Sequence, residues 1–125
     1  MWKNAPDAIR ASDLGPNDVF VFGSNAQGLH GGGAALFAYN HLGAVWGEGE
    51  GLFGQSYALP TMGSDDELEA AVGRFLVFAS EHPKLTFLVT KVGTGIAGRS
   101  VKDIARLFKS VPSNVVLPVE FEKEN

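Results

Sequence analysis

Short continuous apolar runs alternate along this chain with stretches of helical period. Asp18-Val-Phe-Val-Phe22 runs apolar up to a glycine and predicts a buried strand. A loop from Gly23 to Gly33 follows. Ala34 to Leu42 then reads as a helix, with Ala34, Phe37, Ala38 and His41 on one face. Ala44-Val-Trp46 and Ser56-Tyr-Ala-Leu59 read as two short strands on either side of a GEGEGLFG loop. Ser64 and Glu67 have the spacing of a capping box. Leu68, Ala71, Val72, Phe75, Leu76 and Ala79 repeat at helical spacing until Pro83 stops the helix. Leu85-Thr-Phe-Leu-Val89 is continuously apolar and β-prone, as a central strand covered on both faces should be. Ser100 is the expected cap of a last helix, with Asp103 in its first turn and Val101, Ile104, Ala105 and Phe108 facing inward. Val115-Val-Leu117 closes the set as a strand, residues 1–17 form an irregular lead, and residues 120–125 are expected to fray.

Strands and helices thus alternate at βαβ spacing. The expected fold is a single α/β domain over residues 1–125, a three-layer α/β/α arrangement around a mostly parallel or mixed sheet. Ligands of such sheets bind outside the carboxyl ends of the strands. Both glycine-rich junctions, Gly23 to Gly33 and Gly93 to Gly98, fall on that edge.

Composition sharpens the picture at one point. The chain holds 16 glycines in 125 residues, about twice the usual share of roughly 7%. They cluster at Gly28–Gly33, Gly47–Gly54 and Gly93–Gly98. Clustered glycine marks backbone that turns sharply or approaches a ligand closely. A glycine loop opening a helix offers unpaired amides to an anion. Neither loop is a P-loop, because no GK[ST] follows, and GxGxxG is absent from the first junction. Gly93-x-Gly95-x-x-Gly98 has those letters but no acidic ribose partner about 20 residues on.

Charge and residue usage exclude other classes. The formal charge is −4 and no Lys/Arg run exceeds one residue, so no basic nucleic-acid-binding face is expected. Cysteine is absent, and His30, His41 and His82 are scattered without ligand spacing, so no metal and no cofactor are expected. The N-terminus lacks an apolar leader core, and no stretch is apolar enough to span a bilayer. The expectation is a cytoplasmic domain with no membrane partner.

A longer pattern carries a family resemblance. Val19 to Ala35, VFVFGSNAQGLHGGGAA, resembles the first ligand loop of macro domains, where a strand leads to Asn, six residues follow, and Gly-Gly opens a helix. Phe87 to Gly98, FLVTKVGTGIAG, is similar to the macro-domain phosphate loop. The resemblance implies a compact macro-domain-like fold and a nucleotide ligand such as ADP-ribose, free or carried by an ADP-ribosylated macromolecule. It implies that Asn25 meets the distal ribose, and that Gly31, Gly32 and Gly33, with Ser24 beside them, and Gly93, Thr94, Gly95, Ile96, Ala97 and Gly98 surround the diphosphate.

The departures from that family bear on chemistry. Hydrolytic macro domains with this Asn spacing carry an Asp two positions after the Gly-Gly, and this chain has Ala35. The paired glutamates of poly(ADP-ribose) glycohydrolases and the N-terminal Gly-Asp-Ile segment that reads adenine are also missing. Candidate catalytic groups are Asn25, Lys91 and His30. His30 reads as an acid/base or phosphate contact, or as a solvated loop histidine. Lys91 reads as a phosphate or ribose contact, or as a strand-end lysine reaching solvent. Asn25 reads as a ribose contact or as the closure of an Asx-turn. Phe53 is the candidate for stacking on adenine, its alternative being core packing. Glu48 and Glu50 read as a carboxylate base or as solubilising loop acids. The functional readings are a hydrolase of an ADP-ribosyl adduct or ADP-ribose phosphate, a non-catalytic binding module for the same nucleotide, and a structural or interaction domain.

Overall fold

A computed structural model describes residues 2–125. Five strands form one sheet in the order β2-β3-β1-β4-β5. They are β1 (Asp18–Ser24), β2 (Gly51–Phe53), β3 (Ser56–Pro60), β4 (Thr86–Val89) and β5 (Val115–Val116). β1 pairs in parallel with β3 and β4, and β4 with β5, while β2 runs antiparallel to β3. The helices are α1 (Gly33–His41), α2 (Asp65–Ser80), α3 (Val101–Leu107) and α4 (Val119–Lys123).

The alternation of side chains along β1 decides which helix covers which face. Phe20 and Phe22 pack with Ala38, Leu42, Ala44 and Ala58 beneath α1. Val19 and Val21 point the other way, into a larger core with Phe75 of α2, Ile104 of α3 and Phe121 of α4. The domain is therefore an α/β/α sandwich. The chain winds from β1 through α1 to β3 on one side, then returns through α2 to β4 on the other. That reversal makes the gap between β1 and β4 a topological switch point, where open α/β sheets bind ligands.

The Ser64 capping box forms in both directions, with Ser64 N–H donating to Glu67 Oε1 at 2.9 Å and Glu67 N–H to Ser64 Oγ at 3.2 Å. The Ser100 hydroxyl likewise accepts from the Asp103 amide at 3.1 Å.

Four expectations are corrected. Ala44–Trp46 is not a strand: Val45 and Trp46 are about half exposed, and a three-residue apolar run has no partner to pair with. The strand lies instead at Gly51–Phe53, inside the glycine-rich segment, where a two-residue turn with Gly54 at φ +60° folds it back on β3. The inner face of α1 is also rotated from expectation. Phe37 and Ala38 pack inward as expected, but Ala34 and His41 are exposed and Leu42 joins the packing in their place. Finally, the tail does not fray. Residues 119–123 form α4, and Phe121 is fully buried.

Tyr57 on β3 is buried against Phe75 and Phe87, and burial together with the Glu50 carboxylate pushes its phenol up to about 12. The unfolded phenol titrates near 10, at about the free-tyrosine value. The folded state thus keeps a proton that the unfolded chain loses, and stability is expected to fall as pH rises from about 10 to about 12. Urea midpoints at pH 8 and pH 11 should diverge less in Tyr57→Phe than in the parent. Equal divergence would show that Tyr57 does not contribute.

Candidate functional site

A cavity of about 310 Å³ opens at the carboxyl ends of β1 and β4, near the lower limit of roughly 300 Å³ for small-molecule sites. Its walls are the two glycine loops. From the first come Gly23, Ser24, Asn25, Leu29, Gly32, Gly33, Ala34 and Ala35. From the second come Thr90, Lys91, Val92, Gly93, Gly95, Ile96 and Ala97. Thr61 and Met62, just after β3, complete it.

The first loop is held open by its own backbone. Asn25 O accepts from Gly28 N–H at 3.0 Å, closing a turn with Gly28 at φ +69°. The Asn25 amide group bonds Leu29 twice: Oδ1 accepts from Leu29 N–H at 2.9 Å, and Nδ2 donates to Leu29 O at 3.1 Å. Gly28 then packs against Gly47 and Glu48, leaving no room for a Cβ, and Gly47 N–H donates to Gly28 O at 2.9 Å. The chain is thereby delivered to Gly32, the extended N-cap of α1, with Gly33 at φ +58° behind it. Among the described residues, nothing accepts from the amides of Gly31 to Ala35. A Cβ placed on Gly31, Gly32 or Gly33 would meet no atom within 4 Å.

The second loop is folded more tightly. Gly93, at φ +78°, lies under the Ile104 side chain and accepts from Arg99 N–H at 2.9 Å. Gly98 N–H donates to Gly95 O at 2.9 Å, and Thr94 Oγ1 turns back onto Lys91 O at 2.8 Å. The amides of Gly95, Ile96 and Ala97 have no acceptor among the described residues. The loops meet at their base, where a Cβ on Gly23 would lie 3.3 Å from Thr61 Oγ1 and 3.5 Å from Gly93 N.

The unpaired start of α1, without an acidic residue in its first turn, carries the positive end of that helix's dipole. Lys91 is the one ionisable residue among the described lining residues. Its ammonium lies 3.3 Å from Asp7 Oδ1 and 3.5 Å from Glu120 Oε2.

The structure thus brings together Ser24, Asn25, Gly32, Gly33, Lys91, Gly93, Gly95, Ile96 and Ala97. Gly31, Thr94 and Gly98 belong to the same loops but lie outside the cavity wall. Phe53 is at the wrong end of the sheet. It precedes the turn into Ser56, which pairs with Phe20 at the start of β1, whereas the cavity lies beyond Ser24. His30 is not a solvated loop histidine. It is fully buried, edge-on to Phe22 at 5.3 Å, with Nε2 bonded to Val45 O at 2.9 Å. Its place is structural, pinning the loop to the segment before β2. Glu50 is drawn into a bidentate pair with Arg74, at 2.7 and 2.9 Å.

Sequence reasoning passed over Thr61, Met62, Thr90 and Arg99. Thr90 Oγ1 donates to Val21 O at 2.8 Å and ties β4 to β1 directly beneath the cavity. The Arg99 guanidinium reaches across to Thr61 O, Gly63 O and Asp65 Oδ1, at 3.2, 2.5 and 2.5 Å. It fastens the loop after β4 to the loop after β3. Thr61 and Thr90, the polar residues just after β3 and β4, are a trace of the first of these contacts in the sequence, whereas Arg99 carries no such local signal.

No family model, curated protein or solved structure matches the chain.

Proposed function

We propose that this domain binds ADP-ribose or a close nucleotide derivative, with the diphosphate between the two glycine loops. One observation carries the reading: a cavity at the β1/β4 switch point, lined by two glycine loops in which the amides of Gly31 to Ala35 and of Gly95 to Ala97 have no acceptor among the described residues. The macro-domain resemblance of the same two segments supports the choice of ligand. Unbranched backbone at Gly32 and Gly95 leaves space for phosphate oxygens, and the α1 dipole opposes their charge.

Binding without turnover is the reading favoured by the lining. Among the described residues it contains no carboxylate and no histidine, Ala35 stands where the hydrolytic acid would be, and His30 is sealed in the core. The Asn25 amide is committed to Leu29, so its part is to shape the loop at the ligand's edge.

Calorimetric titration with ADP-ribose, against AMP, NAD and ribose 5-phosphate, tests the proposal. Saturable binding that favours ADP-ribose is the expected result. An absence of heat, with an unchanged Tm at high ligand concentration, would overturn it. Release of ADP-ribose from a modified protein by the purified domain would instead establish a hydrolase.

A further inference from the structure

Lys91 belongs to the cavity wall, yet its ammonium is bonded to two carboxylates that do not. Asp7 comes from the N-terminal lead and Glu120 from the first turn of α4, and neither lines the cavity. Both are placed by a fixed scaffold. Ala5 N–H donates to Leu117 O at 3.0 Å, and Asn4 Nδ2 bonds Leu117 O at 3.2 Å and Glu122 Oε2 at 2.9 Å. This lays the lead against the segment that enters α4. Glu120 Oε1 is buried without a partner, so the carboxylate's other oxygen and Lys91 form its one compensating contact among the described residues.

We propose that Asp7 and Glu120 are specificity-determining residues of the anion site, because they hold the Lys91 ammonium away from the bound phosphate. The inference rests on the nucleotide-binding reading above. An ammonium has three donors on a flexible stem, and the same stem can serve either the carboxylates or an anion in the cavity. While the carboxylates keep it, the anion is read by backbone amides, which discriminate by shape. Once released, the ammonium adds a point charge, which discriminates by charge number. The Asp7 contact, and then the Glu120 charge, hold the pKa of Lys91 above the usual lysine value while the pairs last, and a released lysine is still charged at neutral pH. Exposed ion pairs are individually weak, which leaves this one open to competition.

The test titrates ADP-ribose, inorganic diphosphate and uncharged adenosine into four proteins. These are the parent, Asp7→Asn, the double variant Asp7→Asn with Glu120→Gln, and that double variant with Lys91→Gln added. Freeing the ammonium should tighten ADP-ribose binding about tenfold in the double variant, the scale of one added charge-assisted hydrogen bond. Adenosine affinity should stay unchanged, salt dependence should steepen, and the gain should vanish when Lys91→Gln is added. Asp7 is largely exposed and bonds only Lys91 among the described residues. Asp7→Asn alone should therefore fold normally and show a smaller gain in the same direction.

Unchanged or weaker anion binding in both Asp7→Asn and the double variant, with the parent binding normally, would overturn the proposal. A gain that persists with Lys91→Gln would overturn it too, since it would reflect only relief of long-range repulsion. A parent that ignores ADP-ribose, combined with a Lys91-dependent gain for diphosphate in the double variant, would support this inference while ending the nucleotide reading. Silence from all four proteins toward every anion would end both.

Discussion

Gly32→Val is expected to weaken ADP-ribose binding by at least about a hundredfold, roughly 2.7 kcal/mol, while leaving the fold intact. Gly32 is the N-cap of α1 at φ −162° and ψ 165°, extended backbone that a β-branched residue adopts readily. A Cβ there meets nothing within 4 Å, so the isopropyl group enters the cavity rather than the core. It would occupy the space before the α1 amides. Gly33 is a poorer probe, because its φ of +58° would strain any side chain and mix folding with binding. Titration and thermal melting of the Gly32 variant separate the outcomes. Retained affinity would place the ligand elsewhere. A Tm lower by many degrees would show that the glycine serves the fold.

Phe121→Ala should cost about 3–5 kcal/mol of folding stability, a large share of a small domain's total. The ring is fully buried and stacks on Phe108 of the α3 terminus, centroids 5.7 Å apart and planes 15° apart. Truncation would leave a void between α3 and α4 that five helical residues are too few to close. The Asn125 side chain bonds Ala105 O at 2.9 Å and Phe121 O at 3.1 Å, anchoring the same end. Urea denaturation should show the loss directly, with a Tm lower by on the order of 10–20 °C. A change under about 1 kcal/mol would mean that α4 contributes little and that its end behaves as the frayed tail the sequence implied.

What was legible in the sequence, and what was not, follows from the range of the interactions. The Ser64–Glu67 box and the Ser100 cap are local, so they were readable from spacing alone. The apolar run of β4 announced burial on both faces, and Phe87, Leu88 and Val89 are all inaccessible. The two glycine loops were placed on one edge by element order, and the cavity between them follows from the sheet order. Other features depend on partners distant in sequence. His30 is buried because Val45 O and the Phe22 ring receive it, and nothing in LHGGG encodes that. Lys91 reads as free until the two ends of the chain supply Asp7 and Glu120. Phe53 lies in a third glycine-rich cluster, Gly47–Gly54, and the Gly54-Gln55 turn holds it at the end of the sheet opposite the cavity. A Gly-x pair between two short apolar runs was the one local signal that would have found β2.

The position of β1 has a consequence for how the molecule is made. Phe20 must pair with Ser56 on one side and Leu88 on the other. The central strand is therefore made before either of its neighbours, and its second edge stays open until β4 is in place. Until β4 has emerged from the ribosome, Val-Phe-Val-Phe is an uncharged, β-prone segment with an open edge, the kind that nucleates association between chains. Parallel pairing across such separations is also slow. The hazard in this protein's life is thus concentrated in nascent chains and ends when β4 docks.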